Sequence, residues 1–375
     1  MNLGAFFAYA CQKMMMKSIY FSVACILLFS CSKTVEDRCF ISLTDQIFEG
    51  YKEQKSYTVK QILDEKPDYL EIVNLTKYRD FKKDSTELHA YTNSDEEEKK
   101  WKAQEEEFKI FHEKFSMQFW YCSQQKIGNI LYGLARNNLG YWLLKIENDK
   151  PSAYFMGLSF SHYYFNVVQK QPIIDGDYLQ VEGSLVKIIK VPGLPGYDDY
   201  SAMEDGKLFK IKLKYLLQDS DKDGYNDIFE KSFGLNPNNA DTDRDGINDF
   251  ADTNPLFKSE KNKFTQLYEL MLPNYGDVKL EQMYYSFAVY KNDCDYFHQI
   301  NPNQRVLFVP ENRRKQTAYT RITDVFQGSI SKIKKDVKNP NKFYIYVSGS
   351  SFTNDYAAEY QKGKWVIRNI GGISI

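Results

Sequence analysis

The chain is poor in the side chains that most catalytic and transition-metal chemistry needs. Four histidines occur in 375 residues, His89, His112, His162 and His298, and they lie too far apart in sequence to suggest a base or a zinc cluster. No Cys-x-x-Cys pair is present, which argues against a zinc knuckle or a thioredoxin-like redox site. Gly-x-Ser-x-Gly, His-Glu-x-x-His and Gly-x-x-x-x-Gly-Lys are all missing, so the common hydrolase, metalloprotease and nucleotide-binding signatures are absent. Charge of one sign is lacking too: 49 Lys and Arg balance 50 Asp and Glu, a net of −1, so no general basic field exists to hold nucleic acid. With only 20 Gly and 11 Pro the chain is not a low-complexity linker, and 43% hydrophobic residues are enough to build cores. What is abundant is aromatic: 29 Tyr and 26 Phe favour half-buried pleated surfaces and hence β-structure.

The longest apolar run, Ile19 to Phe29, follows Lys17 and ends in Leu28-Phe29-Ser30-Cys31. Eleven residues as a helix cross only about half of a ~30 Å hydrocarbon core, which argues against a transmembrane span. A basic start, a short apolar stretch and a small residue before cysteine resemble a bacterial lipoprotein signal peptide, with Leu28 to Cys31 as its lipobox. The resemblance implies cleavage before Cys31, fatty acylation of its sulfur, and a lipid-anchored place in the cell envelope, expected at the outer membrane. Removal of residues 1–30 and acylation of Cys31 leave Cys39, Cys122 and Cys294. Three thiols allow one disulfide at most. Cys39 and Cys122 are the nearest pair, but sequence does not fix the connectivity.

Beyond the leader the pattern predicts an α+β protein, predominantly antiparallel β. Two β-rich modules, 31–215 and 258–375, are expected to flank a segment of different chemistry at 216–257. Ser94-Asp95-Glu96-Glu97 has the form of a capping box and predicts a helix start. Trp101, Phe108, Phe111 and Phe115 follow at helical spacing as one apolar stripe. After about Ile127 the period falls to two, with turn signals at Asn137-Asn138-Leu139-Gly140, Asn148-Asp149-Lys150-Pro151, Asp175-Gly176-Asp177 and Pro192 to Gly196. Phe209, Ile211, Leu213 and Tyr215 alternate with lysines and predict a strand. A helix is expected from Phe264 to Met271, and strands at 283–290, 305–309, 342–347 and 365–370. The aromatic cluster from Tyr154 to Phe165 reads as β-core more readily than as a sugar-stacking surface.

The segment of different chemistry holds one pattern twice, 22 residues apart. Its first copy sets Asp219, Asp221 and Asp223 at loop positions 1, 3 and 5, Gly224 at 6, Tyr225 at 7, Asp227 at 9 and Glu230 at 12. The second copy repeats this with Asp241, Asp243, Asp245, Gly246, Ile247, Asp249 and Asp252. Alternate carboxylates can converge on one hard cation, the glycine permits the sharp turn, and the carbonyls of Tyr225 and Ile247 can complete the cage. An all-oxygen donor set selects Ca²⁺, because Mg²⁺ resists losing its water and transition metals prefer nitrogen or sulfur. Residues 219–252 carry ten acids against Lys222, Lys231 and Arg244, a local net of −7 that couples folding to a counter-ion.

Only ten residues separate the loops, too few for the paired helices of EF-hands. One short helix fits from about Asn226 to Ser232, stopped by Gly234 and Pro237. The 22-residue period, the Gly234 to Ala240 spacer and the closing Thr253-Asn254-Pro255 resemble the bacterial form of the thrombospondin type-3 calcium repeat, over about 40 residues. Asp252 departs from Glu230 in having a shorter arm. The functional expectation is a calcium-binding envelope lipoprotein that binds or scaffolds, held to the membrane through Cys31 and taking an envelope protein or glycan as ligand, with calcium stiffening the connection between modules. The alternative is an anchored or secreted hydrolase, with glycan as a candidate substrate, in which calcium is structural; a carboxylate pair across a groove would mark it.

Overall fold

Tight turns set the first part of the architecture. In the computed structural model, which describes residues 34–41, 56–88, 94–190, 198–273, 279, 282–323, 329–349 and 352–374, the strands Trp120–Ile127, Ile130–Asn137, Gly140–Glu147 and Lys150–Phe155 form an antiparallel meander in sequence order. Asn148 and Asn148's neighbour Asp149 both take positive φ, 51° and 66°, the geometry of the two-residue hairpin turn whose twist matches the strands. The leader with Cys31, His89 and the Pro192–Gly196 turn lie outside the described residues.

A second sheet orders its strands Leu70–Asn74, Asp198–Lys212, Tyr178–Lys190 and Tyr163–Phe165, with Ile174–Asp175 also on the third of these. A third runs Phe40–Ile41, Ile333–Lys335, Lys342–Ser348, Phe352–Gln361 and Lys364–Ser374, with Ser329–Ile330 beside Lys342–Ser348. A fourth pairs Ala288–Lys291 with Val306–Val309. The fold is α+β with mostly antiparallel sheets, as expected; that fourth pair and the Phe40–Ile41/Ile333–Lys335 pair are parallel.

Strand Gly140–Glu147 is buried on both faces, with Tyr141, Trp142, Leu143 and Leu144 all inside. Tyr141 stacks on Phe165 of the second sheet at 3.9 Å between ring centroids. Trp142 meets Phe229, from the acidic repeat, at 5.7 Å. Simple alternation was therefore a poor guide here, because this sheet is covered on both sides.

Several expected elements end elsewhere. The apolar stripe begins at Phe108, not Trp101: helix Ser94–Glu107 is exposed from Asp95 to Glu107, and Trp101 is 60% exposed. Helix Lys109–Phe115 then lays Phe111 over Gly133, where a Cβ would come within 2.6 Å of the ring. The strand expected through Tyr215 stops at Lys212. Leu213 donates its N–H to the Asp177 carbonyl at 2.8 Å, continuing the register that pairs Lys212 with Tyr178, and there the chain turns into helix Leu213–Leu216, in which Leu216 is the buried residue. Helix Lys263–Glu269 overlaps the expected span, starting one residue before Phe264 and ending two before Met271, while the strand expected from Met283 starts only at Ala288.

The apolar interior forms two clusters, and the larger ignores the boundaries expected at 215 and 257. Trp142, Phe155 and Phe209 share it with Tyr225, Phe229 and Phe233 of the repeat and with Tyr285, Phe287 and Tyr319 beyond it. The smaller cluster gathers Tyr268, Phe297, Phe308 and Phe343 around a disulfide between Cys39 and Cys294. That pairing replaces the Cys39–Cys122 pairing nearest in sequence; Cys122 remains a thiol.

Candidate metal centre

Both acidic loops adopt one backbone conformation. At position 4, Lys222 and Arg244 have φ of 65° and 63°, and at position 6, Gly224 and Gly246 have φ of 120° and 97°. The first aspartate of each loop accepts N–H groups from positions 4 and 6: Asp219 from Lys222 at 2.7 Å and Gly224 at 3.2 Å, Asp241 from Arg244 at 2.8 Å and Gly246 at 2.9 Å. Asp223 and Asp245 accept from the N–H groups of Tyr225 and Ile247 at 2.7 and 2.8 Å. These bonds curl the chain so that carboxylates two residues apart turn toward one centre. One oxygen each from Asp219, Asp221 and Asp223 lies within 4.8 Å of the others, and the same holds for Asp241, Asp243 and Asp245. Two oxygens on one calcium at its usual bond length of about 2.4 Å can be no farther apart than this.

The position-9 acids, expected to serve a cation directly or through water, also brace the loops. Asp227 accepts the N–H and the hydroxyl of Ser220 at 2.8 and 3.0 Å and the Gln218 amide at 2.9 Å. Asp249 takes the N–H and hydroxyl of Thr242 at 2.8 and 2.7 Å. Each thereby latches its loop from position 9 back to position 2. Among the described residues Asp227 joins no carboxylate cluster, whereas Asp249 reaches across to the first loop, where its oxygen lies within 4.8 Å of oxygens of Asp223 and Glu230. Nor does Asp252 join a cluster among the described residues; it accepts the Asn254 N–H at 2.9 Å. The helix between the loops, Asp227–Phe233, carries Glu230 into the interior and ends on Gly234 at φ 87°, as expected.

The position-7 residues differ. The Tyr225 ring is buried, stacked on Phe229 at 4.4 Å, with its hydroxyl donating to the Tyr284 carbonyl at 2.6 Å. Ile247 is 47% exposed. The first loop is thus sunk in the core and the second is shallow.

Burial sets the electrostatics. Glu230 is fully buried among like charges, and its carboxyl is pushed up to about 9, first by loss of water and then by Asp221 and Asp223. Burial raises Asp223 to about 7 and Asp252 to about 6 against the pull of backbone N–H groups, and it also raises Asp219, Asp243 and Asp249. Both oxygens of Glu230 and the Oδ2 atoms of Asp221, Asp223 and Asp243 are buried without a hydrogen-bond partner among the described residues. Unpaired buried carboxylate is strongly unfavourable. A hard cation at each loop would satisfy these atoms, so the donor set fits Ca²⁺.

Some contributors have no motif signature. Asn226 accepts the Phe155 N–H and donates to the Phe155 and Leu216 carbonyls, stitching the repeat to the meander. Arg305, 2% exposed, donates to the Asp252 carbonyl at 2.7 Å and lies over the Tyr284 and Phe287 rings. Ser220 and Thr242 had a visible signal, a hydroxyl at position 2 of both loops.

No protein-family model matches the chain, and neither the curated proteins nor the solved structures give a match. No helix among the described residues is long and apolar enough to cross a membrane.

Proposed function

We propose that this is a calcium-binding, lipid-anchored protein of a bacterial cell envelope, in which Ca²⁺ fixes the acidic repeat and, through it, the core that both flanking spans share. The observation that carries the calcium reading is the fully buried Glu230 with two unpartnered oxygens beside Asp223 and Asp249. Asp219, Asp221, Asp223 and Glu230 would hold the ion of the first loop, with the Tyr225 carbonyl and Asp249 from the second loop. Asp241, Asp243 and Asp245 would hold another with the Ile247 carbonyl, and Asp252 would stand outside. Asp227 serves here as a latch. The spans read as two β-rich modules are joined in this reading by a loaded repeat that is part of their common interior, which makes the joint stiff. Attachment through acylated Cys31 would place the assembly on a membrane, expected to be the outer one, where it binds or scaffolds an envelope protein or glycan.

Titration calorimetry tests the metal. Dissociation constants of about 10⁻⁴–10⁻³ M or tighter are expected for an extracellular site of this type. Asp223→Ala should remove the first site and Asp245→Ala the second, and heats unchanged by both substitutions would refute the assignment. For the anchor, Cys31→Ala should release the protein from membranes; retention in high salt would rule out lipidation there.

A further inference from the structure

Thr34, the first described residue, caps helix Val35–Cys39 and lies three residue steps from Cys31, a link that spans about 10 Å when fully extended. The chain is pinned to the body directly after it. Glu36 forms an ion pair with Lys335, Arg38 Nε donates to the Asp295 carboxylate at 3.1 and 3.2 Å, Cys39 is bonded to Cys294, and Phe40–Ile41 pairs with Ile333–Lys335. A lipid on Cys31 therefore has no long tether. It draws the surface around Glu36 and Lys335 down to the headgroups.

That surface is one end of the third sheet. Lys335 ends its strand, residues 336–341 turn the chain, and the Asn341 carbonyl accepts the Tyr360 N–H at 3.0 Å. Beyond Tyr360 the last hairpin turns through Lys362 and Gly363, both at positive φ, where Gln361 pairs with Lys364. The Lys263 ammonium lies 5.6 Å from the centre of the Tyr360 ring. Lys263, Lys335, Lys338, Lys342, Lys362 and Lys364 are thus gathered at one end.

The acids beside them are fewer and are engaged. Asp336 accepts the Tyr344 hydroxyl and the N–H groups of Lys338 and Asn339, Glu359 stands opposite Lys342 and accepts the Gln361 amide, and Asp37 is turned onto the Thr34 cap. With Arg38 and Asp295 counted, seven cations meet five anions here, in a chain whose total is −1. Lys338, Lys362 and Lys364 are exposed and make no ion pair with a described residue. Between Lys335 and Lys338 stands Val337, 74% exposed. An apolar side chain flanked by lysines suits the boundary between acyl chains and anionic headgroups.

We propose that this end of the third sheet docks on a bilayer of anionic lipid, Val337 entering the interface and Lys338, Lys362 and Lys364 meeting lipid phosphates, so that the protein lies on the membrane in one orientation. The proposal rests on the reading of Cys31 as the acylated residue. Acyl chains supply the attachment, and the lysines, each weak alone, supply the orientation.

A fluorophore that shifts to the blue on leaving water, carried by Val337→Cys in a Cys122→Ser background, tests the docking. In the acylated protein on vesicles of equal parts phosphatidylcholine and phosphatidylglycerol, the label should shift and be quenched by a nitroxide-bearing lipid. The same label at exposed Lys150 of the meander, as Lys150→Cys, should do neither. Replacing Lys338, Lys362 and Lys364 together by Gln should abolish the shift while the protein still floats with the vesicles. A label at 337 that stays as wet on vesicles as in buffer, or a shift that survives the triple variant, overturns the docking. A shift in buffer alone that grows with protein concentration gives this face to a second copy and overturns it too. In low salt, the chain expressed from residue 31 with Cys31→Ser, and so without acyl groups, should partition onto these vesicles on the order of 100-fold more strongly than its own triple variant. If the wild type takes up no lipid and does not float, the anchor reading falls and this partition decides the surface: the stated loss upholds it, and equal partition overturns it.

Discussion

Glu230 shows how far one side chain can be held from its preferred state. In the metal-free fold its carboxyl titrates near 9 and that of Asp223 near 7, whereas both would titrate near 4 in an unfolded chain. The folded state therefore binds more protons between those limits, and metal-free stability must fall as pH rises from about 4 through 7 and toward 9. On the proposed reading calcium would replace the protons, so its stabilising effect should be small at pH 5 and large at pH 8.5. Urea midpoints at both pH values, in calcium and in chelator, measure this; a chelator midpoint that does not move with pH would contradict it. Glu230→Gln keeps the shape without the charge. It should raise the midpoint in chelator and weaken calcium at the first loop by on the order of 100-fold, and a variant less stable than wild type in chelator would show that the buried charge is not the source of strain. The ligand spacing was legible in sequence because a loop's own backbone geometry fixes which carboxylates converge. Asp249's reach to Glu230 was not, because it depends on how one loop packs on the other, and Arg305 was invisible for the same reason.

At the scale of elements, the two loops offer an internal comparison. Gly224 and Gly246 share a positive φ that an L side chain adopts only with strain. They differ in what a Cβ would meet: the Phe250 ring at 2.9 Å for Gly224, open space for Gly246. Gly246→Ala should cost about 1–3 kcal/mol from backbone strain alone, and Gly224→Ala should cost more, because Phe250 is wedged between Tyr225 and Tyr284 and cannot yield easily. Equal shifts in urea midpoint would mean that the ring moves aside. The helix between the loops could be read directly, since its stop signal at Gly234 is local. The strand through Tyr215 was misread because alternation continues past Lys212 while the chain turns into helix Leu213–Leu216 and buries Leu216, a change set by packing and not by the local pattern. The Trp101 stripe failed similarly: periodicity gives a face but not where the covering sheet ends.

For the whole molecule, the placement of Tyr225, Phe229 and Phe233 in one interior with Trp142 and Phe287 decides what calcium removal does. A repeat that merely linked two bodies would loosen without disturbing either. Here its loss exposes the core of both spans, so the buried Trp142 signal and the far-ultraviolet circular dichroism should unfold together and shift together with calcium. At a hundredfold excess over its dissociation constant each ion adds about 2.7 kcal/mol. A Trp142 transition unmoved by calcium would restore the simple linker. The second constraint at this scale is the Cys39–Cys294 bond, which closes a separation of 255 residues and brings a segment eight residues from Cys31 against the smaller core. Sequence proximity favoured Cys39–Cys122, but pairing follows the folded chain, and burial pushes the Cys122 thiol up to about 11, which disfavours its thiolate at neutral pH. Closing so long a loop removes unfolded-state freedom equivalent to about 5 kcal/mol. Cys39→Ser and Cys294→Ser should therefore destabilise by similar amounts, the double variant should be little worse than either, and Cys122→Ser should leave the urea midpoint close to wild type. A Cys122→Ser loss as large as that of Cys39→Ser, with Cys294→Ser neutral, would return the bond to the pair nearest in sequence.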